Sequence, residues 1–120
     1  MKQILVIDDS ETTRRFHADI LESAGMGVVT AGDGNEGLER LFTGDFDLIL
    51  SDVNMPGMDG YEFSRRVRRE PLYDGIPIIL VSTEAGAADK ARGIAAGANL
   101  YVVKPVAPEA LLAHVELVLG

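Results

Sequence analysis

The sequence lacks cysteine altogether and has no long apolar run. Without cysteine there are no disulfides and no thiolate metal sites, which is compatible with a reducing cytosol. The apolar run near the N-terminus, residues 4–7, is followed at once by Asp8 and Asp9. A signal peptide or a membrane-spanning helix needs a longer apolar stretch. We therefore expect an unexported, cytoplasmic protein without a membrane partner.

Positive charge is also scarce, since 11 basic residues stand against 19 acidic ones and the net charge is −8. Such a chain is repelled by nucleic-acid phosphates and by anionic membranes, so neither is an expected partner. With 120 residues, of which 47% are hydrophobic, the chain suits one compact domain. We expect a single domain over residues 1–120, with no room left for an output domain.

Short apolar runs predict the strands. Four of them cover residues 4–7, 48–50, 76–81 and 100–103, and a weaker candidate covers residues 28–31. None alternates apolar with polar residues. Unbroken apolar runs of this length are typical of strands that are covered on both faces, as in a parallel sheet.

Helical patterns lie between these runs. The first repeats every four residues at Thr12, Phe16, Ile20 and Ala24, with Ser10 as its cap and a glycine at its end. The others are predicted around residues 38–42 and over residues 61–69, 87–96 and 108–119. Strand followed by helix, five times, predicts an α/β fold with a parallel sheet, right-handed crossovers and helices on both faces.

Polar side chains follow four of the predicted strands. In chain order they are Asp8, Asp9, Asp52, Ser82, Thr83 and Lys104. Because the carboxyl ends of parallel strands share one edge of the sheet, where ligands bind, these side chains should converge in one cleft.

Three carboxylates in one cleft need compensation, because each pair at about 4 Å costs roughly 4 kcal/mol near a protein surface. Lys104 supplies one positive charge and a divalent cation supplies two. Carboxylate oxygens are ligands that magnesium takes. In the simpler interpretation Asp8 and Asp9 only cap the first helix, but that explains at most one of them, since Ser10 is the better cap.

Four segments resemble the signature of receiver domains of two-component response regulators, of the single-domain, CheY-like chemotaxis type. They are residues 6–10, 51–60, 81–84 and 101–105. The resemblance covers the whole chain. It implies a flavodoxin-like (βα)5 fold whose five parallel strands have the order 2-1-3-4-5.

The resemblance also implies site roles. Asp52 would accept a phosphoryl group from a phosphohistidine on a histidine kinase or phosphotransfer protein. Asp8, Asp9 and Asp52 would hold magnesium together with the main-chain carbonyl of Asn54. Lys104 would contact the phosphoryl group, and the Ser82 hydroxyl would take part in the catalysis as a hydrogen-bond donor. Such a protein is not an enzyme acting on other substrates, since it catalyses only its own phosphorylation and dephosphorylation.

Two further roles concern signalling to a downstream protein target. Ser82 is the expected switch hydroxyl and Tyr101 the expected switch aromatic. Many receivers have threonine at the hydroxyl position, and Thr83 is adjacent, but we favour Ser82 because it directly follows Val81. The peptide bond between Lys104 and its following proline is expected to be cis, which X–Pro bonds allow at little cost.

Other functions compete with this interpretation. A haloacid-dehalogenase-type phosphatase also uses an aspartyl nucleophile and magnesium. Such enzymes carry the motif Asp-x-Asp after the first strand, however, whereas Asp8 and Asp9 are adjacent in this sequence. A flavodoxin-like electron carrier needs a phosphate-welcoming loop there, which two carboxylates oppose. A receiver could also serve as a phosphorelay intermediate or phosphate sink, or be a piece of a longer regulator, and its pathway need not be chemotaxis.

Several charged residues have no place in the predicted site. Both histidines, His17 and His114, are expected on the surface. A basic cluster on the third helix is expected to be a solvated face, with a docking patch as the weaker alternative; it consists of Arg65, Arg66, Arg68 and Arg69.

Overall fold

The computed structural model describes residues 1–120 as strands and helices in strict alternation. The strands are β1 (Gln3–Ile7), β2 (Gly27–Ala31), β3 (Leu48–Asp52), β4 (Ile78–Ser82) and β5 (Leu100–Val103). The helices are α1 (Glu11–Ser23), α2 (Gly34–Phe42), α3 (Gly60–Arg69), α4 (Ala87–Ala96) and α5 (Pro108–Leu119), and a single 3-10 turn, Pro71–Tyr73, follows α3. The α/β prediction is confirmed.

All five strands are parallel and lie in the order β2-β1-β3-β4-β5, as the resemblance implied. Asp52 pairs with Val81, and Ser82 pairs with Val103. This register brings the carboxyl ends of β3, β4 and β5 level with one another. The polar residues that end these strands, or directly follow them, therefore share one edge of the sheet.

Each face of the sheet carries its own apolar core, because successive side chains of a strand point to opposite faces. Leu5 and Ile7 of β1 belong to one core, with Phe63 and Val67 of α3. On the other face, Ile4 and Val6 pack with residues of α1 and α5, among them Leu21, Leu111 and Val115. Strands β1, β3 and β4 are buried on both faces, which accounts for their continuous apolar sequences.

The helix ends are predicted well by local chemistry. The Ser10 hydroxyl accepts a hydrogen bond from the Thr13 N–H and caps α1. Gly25 and Gly97 follow α1 and α4 with φ of 87° and 116°, in the left-handed region that favours glycine. No helix is both long and apolar enough to cross a membrane.

One strand boundary and one helical pattern differ from the structure. Strand β4 begins at Ile78 rather than residue 76, since the proline at 77 has no N–H for the ladder. On α1 the four-residue repeat does not coincide with the buried face, since only Ile20 of its four members is buried and Phe16 is 48% exposed. A strict four-residue repeat drifts by about 40° per step around a helix of 3.6 residues per turn, so it does not mark one face.

Candidate functional site

Three carboxylates meet at the carboxyl edge of the sheet. An oxygen from each of Asp8, Asp9 and Asp52 lies within 4.8 Å of the others. Asp8 and Asp52 are buried, at 2% and 6% exposure, while Asp9 faces solvent. The backbone of Asp8 is held by Arg14, whose guanidinium donates to the Asp8 carbonyl at 2.7 Å. The structure thus brings together the acidic residues that the sequence singled out.

Lys104 lies between the two buried carboxylates. Its ammonium nitrogen, Nζ, is 3.1 Å from Asp8 Oδ2 and 3.2 Å from Asp52 Oδ1. Burial alone would lower the pKa of Lys104, but the charges of Asp52 and Asp8 outweigh burial, and the pKa of the ammonium is raised. One lysine therefore balances one of the three acidic charges. The peptide bond from Lys104 to Pro105 is cis, as expected.

Asp52 is the acidic residue whose protonation the site changes most. Burial, and then the negative charge of Asp8, raise the pKa of Asp52 from 3.8 to about 6, against the opposing effect of Lys104. The folded protein therefore keeps a proton on Asp52 between pH 4 and 6, where the unfolded chain has lost it. This contribution to stability is fully present below pH 4 and is lost as the pH rises through 6.

Without divalent cations, Asp52→Asn should consequently be more stable than the native protein above pH 6, by roughly 1–3 kcal/mol. The difference should shrink towards pH 4, because native Asp52 is then protonated. Urea unfolding at several pH values measures it, with the exposed residue Asp45 changed to Asn as the control. A stability gain that does not depend on pH would contradict the charged-cluster explanation.

The backbone behind Asp52 is tightly packed against the start of α3. The Gly60 N–H donates to the Val53 carbonyl at 2.8 Å, and Asp59 caps α3 by accepting from the Glu62 N–H. A Cβ at Gly60 would lie 2.9 Å from the Val53 Cα and still closer to the Asp52 carbonyl oxygen. Only glycine leaves room for this approach.

Ser82 lies at the end of β4, beside β3. Its hydroxyl is fully buried and accepts a hydrogen bond from the Glu84 N–H at 3.0 Å. The side-chain amide of Asn54, which follows β3, donates to the same hydroxyl at 3.5 Å. Thr83 is exposed. Of the two neighbouring hydroxyls, Ser82 is thus the one enclosed at the edge of the sheet that carries the carboxylates.

Tyr101 lies on β5, half-buried beside α4. Its hydroxyl donates to the Glu84 carbonyl at 2.8 Å, so Ser82 and Tyr101 both bind the backbone of Glu84. The ring lies so close to Gly93 of α4 that a Cβ there would be 2.8 Å from it. The two residues predicted as a switch pair are therefore joined through one peptide segment.

Sequence reasoning missed Tyr61 of α3, which is buried and lies beside Tyr101. Its hydroxyl donates to the Asp89 carbonyl at 3.3 Å, and the Arg92 guanidinium carbon lies 4.3 Å from its ring centroid. Burial raises the pKa of Tyr61 to about 12, and the neighbouring Tyr101 acts in the same direction. No local sequence signal indicates this link between α3 and α4, because the partners of Tyr61 lie about 30 residues away.

The prediction that both histidines lie on the surface is wrong. His17 is 4% exposed on the inner face of α1, and burial lowers its pKa although the charge of Asp8 opposes that shift. Its ring borders a cavity of about 180 Å³ that Lys104 and Pro105 also line. His114 is half-buried. The surface prediction for His17 rested on the lack of a metal-ligand partner, which does not show that the residue lies on the inner face of α1.

The predicted basic face of α3 divides into two parts. Arg65, Arg66 and Arg69 point outward, but Arg68 is drawn inward. Its guanidinium donates to the carbonyls of Tyr73 and Gly97, at 2.9 and 3.0 Å. It also binds the Asp74 carbonyl and the Asn99 side chain. Arg68 therefore joins two connections at the amino edge of the sheet, the one between α3 and β4 and the one between α4 and β5.

Fold and site together define a flavodoxin-like protein with an acidic cleft at the carboxyl edge of its sheet and one lysine inside that cleft. The family model "Response regulator receiver domain" matches residues 4–116. The chain belongs to the response-regulator receiver family, and this assignment sets aside the haloacid-dehalogenase-type phosphatase and the flavodoxin-like electron carrier.

Named relatives agree with this assignment. The structure of Vibrio cholerae chemotaxis protein CheY4 matches with a TM-score of 0.95 and 42% identity, covering 98% of each chain. The Campylobacter jejuni chemotaxis protein CheY homolog is 40% identical over 98% of this chain and 92% of its own length. Sensor histidine kinase CheAY of Helicobacter pylori is 39% identical over 90% of this chain, but over only 14% of its own length. Similar domains thus occur alone and within longer proteins.

Proposed function

We propose that this receiver accepts a phosphoryl group on Asp52 from the phosphohistidine of a histidine kinase or phosphotransfer protein and then acts on a downstream protein target. The observation that supports this most directly is Asp52 itself, one oxygen of which contacts Lys104 while two further carboxylates lie within 4.8 Å. The names of the relatives support chemotaxis as the pathway. The test is incubation with acetyl phosphate and magnesium, followed by mass-spectrometric location of the acyl phosphate; labelling elsewhere in the chain contradicts the proposal.

The proposed transfer makes one bond and breaks one. A carboxylate oxygen of Asp52 attacks the phosphorus, the phosphorus–nitrogen bond to histidine breaks, and the imidazole keeps the electron pair and takes up a proton. Because the pKa of Asp52 is about 6, the nucleophile is mostly ionised at neutral pH. Lys104 then binds the transferred phosphoryl oxygens, so catalysis consists mainly of positioning and charge stabilisation.

The cleft also fits a magnesium ion. Three carboxylates and one ammonium leave a charge of −2, which one divalent cation balances, and oxygen-only ligands are those magnesium prefers. We assign Asp8, Asp9, Asp52 and the main-chain carbonyl of Asn54 as its ligands. When bound, the ion supplies positive charge to the phosphoryl oxygens.

Magnesium should therefore raise the melting temperature, since a ligand of the folded state alone stabilises it by about 2.7 kcal/mol at a hundredfold excess over Kd. Asp9→Ala should weaken magnesium binding and leave the metal-free protein as stable as before or more so, because it removes a repelling charge. Calorimetric titration and thermal unfolding measure both effects, with the exposed Asp45 changed to Ala as the control. An unchanged magnesium affinity in Asp9→Ala would count against the cluster.

Signalling is proposed to run from Ser82 to Tyr101. The phosphoryl group brings strong acceptor oxygens into the cleft, and the Ser82 hydroxyl can turn towards them to donate. The Glu84 N–H then loses its acceptor, and the segment that also binds Tyr101 is free to shift. The surface around α4, β5 and α5 changes shape, which a partner protein can recognise.

Ser82→Ala tests this coupling against Thr83→Ala, its exposed neighbour. Both variants should still be phosphorylated by acetyl phosphate. Only Ser82→Ala should lose most of the phosphorylation-dependent change in the Tyr101 signals, which nuclear magnetic resonance follows directly. If Tyr101 responds equally in both variants, the coupling is wrong even though Asp52 remains the acceptor.

A phosphorelay intermediate or phosphate sink uses the same chemistry, but it passes the phosphoryl group to another protein instead of binding a downstream target. Transfer from labelled receiver to a second histidine protein distinguishes this alternative. We also propose that residues 1–120 form one receiver domain, because a relative of similar length matches over nearly the whole chain.

A further inference from the structure

Three arginines on the outer face of α3 have no part in the proposed phosphorylation. Arg65 Nε and Arg66 Nε lie 3.0 and 2.9 Å from the Glu62 carboxylate, and Arg69 Nη1 lies 3.8 Å from it. One carboxylate therefore serves three guanidinium groups. Arg15 on α1, by contrast, lies near two carboxylates. In a chain of net charge −8, the outer face of α3 carries a local excess of positive charge.

This charge borders a groove between α2 and α3 that is lined by two apolar and three charged side chains. The groove encloses about 340 Å³, and its lining consists of Leu38, Phe42, Arg66, Arg69 and Glu70. Phe42 is 52% exposed. Its ring stacks on Tyr73 with the centroids 5.8 Å apart, which restricts its motion. A fixed, exposed aromatic side chain flanked by arginines is typical of the centre of a protein interface.

The groove is remote from the phosphorylation site. Helices of a parallel (βα)5 fold run opposite to the strands, so the ends of α2 and α3 that carry Phe42 and Arg69 lie towards the amino edge of the sheet. Asp52 lies at the carboxyl edge. Arg68 fastens the loops next to the groove through the Tyr73 and Asp74 carbonyls. Changes at Asp52 are therefore not expected to reshape this surface.

We propose that the groove between α2 and α3 binds an acidic amphipathic segment of a partner protein, whether or not Asp52 is phosphorylated. A large apolar side chain of the segment packs against Leu38 and Phe42, and its carboxylates pair with Arg66 and Arg69. Guanidinium groups match carboxylates in geometry and can bind them through two hydrogen bonds. The net charge of −8 repels any acidic ligand, but it repels the dense phosphates of a nucleic acid more than the few carboxylates of a peptide, which can also pack an apolar side chain against Leu38 and Phe42.

The probe is a synthetic helical peptide with leucine and phenylalanine on one face and glutamates beside them. Titrated into the isotope-labelled full chain, it should shift the resonances of Leu38, Phe42, Arg66 and Arg69. The double variant Arg66→Gln/Arg69→Gln should bind it about ten-fold more weakly, as expected for two lost charged pairs. Arg15→Gln is the matched control, because the side chains of Arg15 and Arg69 are equally exposed, at 66%. It should bind normally.

Two comparisons separate this proposal from the phosphorylation chemistry. Asp52→Asn, and the native protein loaded with beryllofluoride as a phosphoryl mimic, should bind the peptide as the native protein does. Equal binding of a peptide with glutamine in place of glutamate would overturn the proposal, as would equal loss in Arg15→Gln. If the same resonances shift when the protein is concentrated without peptide, the groove binds a second copy of the chain, and the proposal is wrong. Tighter binding of duplex DNA at this face would also overturn it.

Discussion

Asp52→Asn should lose phosphorylation by acetyl phosphate by at least about a hundredfold, because the amide that replaces the carboxylate has no nucleophilic oxygen of comparable strength. The other groups of the cleft remain in place, since Lys104 also contacts Asp8 at 3.1 Å. The native protein should be labelled only when a divalent cation is present. Intact-mass spectrometry counts the phosphoryl groups, and reductive trapping of the acyl phosphate locates them.

The control is the exposed Asp45 changed to Asn, which should be labelled like the native protein. Thermal unfolding of Asp52→Asn excludes loss of the fold as the cause, since this variant is expected to be at least as stable as the native protein at neutral pH. Full labelling of Asp52→Asn would remove Asp52 from its proposed role. It would also direct attention to Asp8 or Asp9 as the acceptor.

Gly60→Ala should destabilise the protein by about 3 kcal/mol or more, because its Cβ would collide with the backbone of residues 52 and 53. Backbone atoms cannot turn aside as a flexible side chain can, so either α3 or the end of β3 must move. A movement of the end of β3 displaces Asp52 from Lys104 directly, and a movement of α3 pulls on the loop that connects it to Asp52. We therefore expect a fall in melting temperature, together with slower phosphorylation of the fraction that remains folded.

Gly75→Ala is the matched control, since no atom lies within 4 Å of the Cβ it would add. Its stability should change by less than about 0.5 kcal/mol. Urea unfolding of the two variants gives the difference directly. Equal stability of Gly60→Ala and the native protein would show that α3 approaches β3 less closely than the structure has it.

Much of the fold can be predicted from the sequence because local and long-range requirements agree. A strand buried on both faces needs an unbroken apolar run, and Ile4–Ile7 provides one just before Asp8. The position of Asp52 follows from the same logic, because parallel strands end at a common edge. The clustering of the three aspartates and Lys104 can therefore be predicted from the order of the strands and helices.

Other features depend on contacts between distant residues, which local patterns do not contain. The inward turn of Arg68 depends on the carbonyls of Tyr73 and Gly97, which lie on separate loops. The burial of His17 depends on which face of α1 meets the sheet, and the four-residue repeat does not identify that face. The roles assigned to Ser82 and Tyr101, the magnesium site and the cytoplasmic location remain predictions.

Arg68 has a consequence for how motion is distributed through the domain. It ties the loops at the amino edge of the sheet together, whereas at the opposite edge residues 83–88 are exposed and α4 begins without a side-chain cap. Amide hydrogens should accordingly exchange slowly along the fastened edge and quickly in the segment before α4. The amino edge of the sheet is then the rigid part of the domain, and the segment before α4 is its flexible part. A structural change that begins at Asp52 is expected to displace that flexible segment and to leave the amino edge in place.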